Sequence, residues 1–152
     1  MFFMNLKINE LLKKIEELKK DTVPQWGTMT AQKMVEHLVN TFRVSSAKII
    51  VQCYTEERKL PILKRFLISD KPLPREFKSP ANELVPQDYQ FQNIEIAKSN
   101  LLNEVEDYYN YFKQNPDAII MNPTFGELNK EEWERFHIKH LTHHLTQFGL
   151  LP

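Results

Sequence analysis

Glycine is scarce in this chain of 152 residues: only three are present. That scarcity disfavours β-sandwiches and glycine-rich phosphate loops, and it fits a helical protein. Cysteine is scarcer still. Cys53 stands alone, so no disulfide can form within the chain, and a lone thiol suits a reducing cytoplasm. An excess of either charge is missing, since Lys+Arg and Asp+Glu number 20 each. A chain so balanced exerts no general pull on nucleic acid or on an anionic membrane. No apolar run approaches the length that crosses a bilayer. The opening Met1-Phe-Phe-Met4 has neither the basic flank nor the long apolar stretch of a signal peptide. Repeats, low-complexity tracts and composition shifts are absent too. One domain over residues 1–152 is therefore expected, long enough to bury a core without staples.

What the chain has is histidine in one place. Four of its five histidines fall between Asn129 and Leu150. At about 3.6 residues per turn, Trp133, His137, His140, His144, Phe148 and Leu151 share one face, with Gln147 beside them. Histidines thus replace the aliphatic residues that usually fill the inner stripe of an amphipathic helix. Buried imidazoles need partners for their nitrogens, and a metal ion is one such partner. The spacing His140-x-x-x-His144 suits an ion, because residues four apart stand roughly 5–6 Å apart at Cβ. Two ring nitrogens can converge from there to about 2.0–2.1 Å. The start of this helix is marked by Asn129 as N-cap, Glu132 three residues on, and Leu128 placed to staple onto Trp133. Gly149 and Pro152 end it.

Three further long helices precede it. Ile8, Leu11, Leu12, Ile15 and Leu18 predict a first helix from about Asn5 to Lys20, its lysines and glutamates forming a solvated face. A second begins near Thr30 and fades around Ala47. Its inner face carries Met34, Val35, Leu38 and Phe42, with His37 at the edge; Glu36 points away and reads as a solvated charge. The third spans roughly Asn93 to Gln114. Residues 48–92 form a long crossover. Within it Ile49–Tyr54 is apolar without a decisive period, Pro61–Ser69 reads as a short helix, and Pro72, Pro74, Pro80 and Pro86 predict irregular structure. The segment from Asp117 to Leu128 reads as a loop. The expected fold is all-α, a four-helix bundle with a long crossover between helices 2 and 3. Bundles build metal sites from facing helices, which makes His37 the natural third ligand for His140 and His144.

Lys139-His140-Leu-Thr-His143-His144-Leu-Thr-Gln147 resembles the last-helix motif of the DinB/YfiT-like metalloenzyme superfamily. Trp26-Gly-Thr-Met-Thr-Ala-Gln-Lys-Met-Val-Glu-His37 resembles the segment that supplies the first histidine there. The Trp-Gly-x-Met opening, the Asn122-Pro-Thr-Phe-Gly126 loop and the Trp133…His140…Gln147-Phe148 ending resemble a subfamily known mainly as a domain of unknown function. The likeness spans most of the chain apart from the crossover. It implies a bundle that binds a divalent metal, zinc or nickel above others, through His37, His140 and His144. It also implies a small-molecule substrate, with a low-molecular-weight thiol as one candidate, and either thiol-dependent transferase or hydrolase chemistry.

The other side chains carry less. His137 faces inward and reads as a supporting group in preference to a ligand, and His143 reads as partly exposed. Gln147 either holds a ligand ring or is a plain surface amide. Tyr108 reads as a core aromatic, Tyr109 as a surface aromatic and Cys53 as a small buried hydrophobe, with no proton donor or nucleophile among them. Only three histidines converge, so the site is expected to be open, with the loop around Asn122, Pro123 and Phe125 near its mouth. The leading reading is a metal-dependent enzyme, in which the ion's charge makes a nucleophile near neutral pH. The alternative is a non-catalytic metal-stabilised binding module, and behind it a plain bundle with incidental histidines. A homodimer is compatible with all three.

Overall fold

Three polar residues end the connectors that precede helices, and the side-chain oxygen of each accepts from a free backbone N–H. The Thr30 hydroxyl accepts from Lys33 N, Asn93 Oδ1 from Ile96 N, and Asn129 Oδ1 from Glu132 N. Glu132 returns the favour by accepting from Asn129 N at 3.0 Å, which closes the expected capping box. These caps open α2 (Ala31–Ser45), α4 (Ile94–Gln114) and α5 (Lys130–Gln147). The computed structural model describes residues 2–77, 84 and 87–152, with side chains from residue 7 onward. Pro80 and Pro86 lie outside the described residues.

The described residues are mostly helical, with five α-helices and one small sheet among them. α1 runs Phe2–Ile15, and the residues to Leu18 continue it as looser turns instead of the helix expected to Lys20. α2 stops at Ser45, where Ala47 takes a left-handed φ of 63° and turns the chain. α3 (Leu60–Ile68) carries Pro61 in its first turn, where a missing N–H costs nothing, and follows a single 3-10 turn at Glu57–Lys59. Ile49–Tyr54 joins neither a helix nor a strand. Its Tyr54 N donates to Pro123 O at 2.9 Å.

The segment from Asp117 to Leu128, expected as a loop, folds into a hairpin of β1 (Ile120–Asn122) and β2 (Gly126–Leu128). The strands are antiparallel, with Asn122 opposite Gly126. Asn122 Oδ1 accepts from Thr124 N and Phe125 N, an Asx turn that closes the hairpin. Trp133 Nε1 then donates to Ile120 O at 3.1 Å and ties the hairpin to α5.

α1 packs along α5, α2 along α4, and the hairpin sits against α2. Between them lies one apolar cluster that includes Met34, Leu38 and Phe42 of α2, Leu101 and Phe112 of α4, and Trp133 of α5. Fully burying one such side chain contributes about 1.5–3 kcal/mol. Where α2 faces α5 this cluster gives way to imidazoles.

Candidate metal centre

Each of the three histidines expected to meet does so. His37 comes from α2, His140 and His144 from successive turns of α5, and their Nε2 atoms converge. His140 Nε2 lies 3.0 Å from His37 Nε2 and 3.0 Å from His144 Nε2. All three rings are buried, only 4–7 % exposed.

The outer nitrogens fix which face of each ring looks inward. His37 Nδ1 lies 2.8 Å from Leu84 O, and a carbonyl only accepts, so Nδ1 carries the proton. His144 Nδ1 donates to Gln147 Oε1 at 2.8 Å, because Gln147 Nε2 is engaged in donating to Trp26 O. Two neutral imidazoles therefore aim bare Nε2 lone pairs at His140 Nε2. That nitrogen has at most one proton and satisfies at most one of them. A cation between the rings satisfies all three. The spacing fits one: nitrogens bound tetrahedrally at about 2.0–2.1 Å stand about 3.3–3.4 Å apart. The three ligand atoms lie within 4.8 Å of one another, so the site accepts an ion after a small adjustment. Among the described residues no fourth histidine, cysteine or carboxylate joins this cluster.

Burial sets the electrostatics. Desolvation holds His37, His140 and His144 below the ordinary imidazole range, His140 and His144 well below it. Neighbouring rings push His140 down further, while the Leu84 carbonyl partly restores His37. Neutral imidazole is the form that binds metal.

The remaining candidates sort by contact. Gln147 orients the His144 ring, and its amide spans from His144 to the Trp26 carbonyl. His137 stays out of the cluster. It stacks on Phe42 at 3.8 Å, and its Nε2 lies 2.8 Å from Ser45 Oγ. His143 is 8 % exposed, not partly exposed as expected, because Trp26 and Phe77 from the connectors cover it. Tyr108 is core as expected, and Tyr109, expected at the surface, is half-buried. Cys53 is half-buried, and its thiol points to Thr55 O.

Glu36 corrects the sequence reading most. It is fully buried, not solvated, and accepts from Gln90 N, Phe91 N and Gln32 Nε2 at 2.9–3.1 Å. It is no part of the histidine cluster. Phe125, expected near the mouth, is instead buried against Phe66 and Phe136. Asn122 and Pro123 do border a cavity beside His37 and His140. Leu84 is the contributor that the sequence concealed: a backbone carbonyl in the crossover leaves no signature in residue type.

A helical protein with a buried three-histidine cluster able to hold a metal ion is the class that this fold and site define. The chain belongs to DUF1569, a family of unknown function whose model matches residues 3–149. No curated protein and no solved structure matches it. Among the described residues no helix is long and apolar enough to cross a membrane.

Proposed function

We propose that this protein is a metal-dependent enzyme of the DinB-like type, a four-helix bundle whose His37, His140 and His144 hold a divalent ion, zinc or nickel, with one position open. The observation that carries the reading is the convergence of three Nε2 atoms, two of them bare lone pairs held by Leu84 O and Gln147 Oε1. When bound, the ion would supply Lewis-acid polarisation of an oxygen or sulfur atom brought to it. The chain's own part is to keep the rings neutral by burial and to fix their rotation. The reaction class in view is transfer or hydrolysis on a small molecule, with a low-molecular-weight thiol as a candidate partner. One observation favours a second reading, a non-catalytic metal-stabilised binding module: the rings are deeply buried, and the cavity that borders His37 and His140 is small.

Elemental analysis of protein purified without a chelating tag tests the ligand set. His37→Ala, His140→Ala and His144→Ala should each remove most of the metal, and His143→Ala should leave it near the native level. Full metal retention by the His37 variant would break the proposed set.

A further inference from the structure

We infer that the cleft between α5 and the segment that follows α3 is a second binding site, one that takes a small organic phosphate monoester. It is separate from the histidine cluster. Arg135, Ile138, Lys139 and Thr142 lie on the side of α5 turned away from His137, His140 and His144. Nothing in the argument depends on an ion between the rings.

The cleft encloses about 250 Å³. A single water needs only about 10–15 Å³, so several heavy atoms fit. Its charge is one-sided. Lys71, Arg135 and Lys139 line it against a single carboxylate, Asp70. Among the described residues the only ion pair that touches this lining is Arg135 with Glu131, at 3.5 Å. Both partners are more than a third exposed, so water screens most of that pair.

The cations are held in place with donors to spare. Lys139 Nζ donates to Ser69 O and to Lys71 O and lies 4.8 Å from the centre of the Phe66 ring. An ammonium has three N–H groups, so one remains. Arg135 Nη1 reaches Ile68 O at 3.4 Å, longer than an ordinary N–H···O bond. Its guanidinium therefore keeps most of its five donors. Burial lowers the Lys139 pKa, Asp70 partly restores it, and the like charge of Arg135 lowers it again. An anion between the two would relieve that repulsion. A phosphate monoester carries about −1.5 to −2 near neutral pH, which answers the uncompensated lysines and arginine. Arginine's fork and lysine's point charge are both phosphate binders. Leu67 and Ile138 supply apolar wall for a compact organic body, and Thr142 adds a neutral hydroxyl.

The test titrates nitrogen-15-labelled full-length protein with phenyl phosphate at constant ionic strength and follows the amide resonances. Those of Ser69, Asp70, Lys71 and Thr142 should shift together and saturate. Phenol should move none of them. Benzoate, with one charge, should bind about tenfold or more weakly, the size of one hydrogen bond to a charged group. Arg135→Gln should weaken phenyl phosphate by a similar factor. Lys71→Gln, which leaves its backbone bonds to Ser69 and Lys139 in place, should weaken it several-fold and keeps the test decisive if the arginine variant does not fold. Absence of saturable shifts at these four amides overturns the inference, as does an equal response to phenol. Benzoate binding as tightly as phenyl phosphate overturns the phosphate assignment. Unchanged affinity in a Lys71→Gln protein whose other resonances are native overturns the site. Shifts centred on His140 and His144 instead would assign the phosphate to the histidine cluster and overturn it too.

Discussion

Gly27 sits at a φ of +80°, and a Cβ built on it would stand 3.0 Å from Gln147 Nε2. The glycine is needed twice over, for its backbone conformation and for the approach of the amide that orients His144. The Trp26-Gly27 pair is thereby explained in physical terms: Trp26 offers the carbonyl that Gln147 Nε2 binds, and Gly27 leaves room for that amide. Gly27→Ala should cost about 1–2 kcal/mol for the left-handed backbone alone. It should also weaken metal binding by about tenfold or more, the usual loss when a group orienting a ligand ring is displaced. Urea unfolding and a competition titration with a chromogenic chelator measure the two effects separately. A variant that loses stability but binds metal as before would show that Gln147 is not held through this contact. At this scale the sequence was informative where the signal is a residue type at a helical spacing, as for His140 and His144, while Gln147 at the same spacing stayed open between two roles. It was silent on Leu84, whose contribution is a carbonyl that every residue has.

The starts of α2, α4 and α5 were legible because capping is local: Thr30, Asn93 and Asn129 each bind a backbone N–H three residues on. Glu36 was misread because its partners are remote. The amides of Gln90 and Phe91 lie 54 and 55 residues away, at the far end of the crossover, and no helical wheel contains them. The hairpin was missed for a related reason, since strands of three residues offer too short a pattern to tell from a loop. The ion pairs tell the same story. Glu104 of α4 meets Arg43 and Lys48 at 3.0 and 2.8 Å, pinning the end of α2 to α4. Glu134 of α5 is the contrast: buried with neither oxygen partnered among the described residues, its carboxyl is pushed above the usual range by desolvation. Glu36, with three donors, instead clamps the crossover onto α2 one residue before His37. Glu36→Gln keeps the shape but turns one acceptor into a donor that faces other donors. A loss of about 1–3 kcal/mol is expected in urea unfolding, as for any buried donor set left unpaired. Hydrogen exchange should rise first at Gln90 and Phe91 if the clamp is what holds the crossover. Protection there equal to that of the unsubstituted protein would assign the stability loss to some other contact.

For the molecule as a whole, the core has exchanged apolar contact for neutral imidazole, which ties its stability to pH, and an ion held there would add to it. His37, His137, His140 and His144 all titrate below the ordinary imidazole value because burial disfavours the charged form. The unfolded chain binds protons on these rings below about pH 6.5, while the folded chain does not. Folding stability is therefore fully present above that pH, and it is lost as pH falls through the window down to the depressed folded values. An ion bound by the three histidines would add to stability through the native state, by about 2.7 kcal/mol at a free concentration about a hundred times Kd. For a chain of this size that is worth about 5–10 °C in Tm. Protons compete with the ion for the same nitrogens, so the two effects overlap in pH. Stripping the protein with a chelator should lower Tm by several degrees at about pH 7.5, where the rings are free to bind. At about pH 5 the chelator should change Tm little, because protonation has already weakened the ion's hold and lowered the Tm of both forms. Differential scanning fluorimetry of stripped and loaded protein across this range gives both curves. They should converge as pH falls. Curves that stay parallel from about pH 7.5 to 5 would mean that the ion is held by something other than histidine.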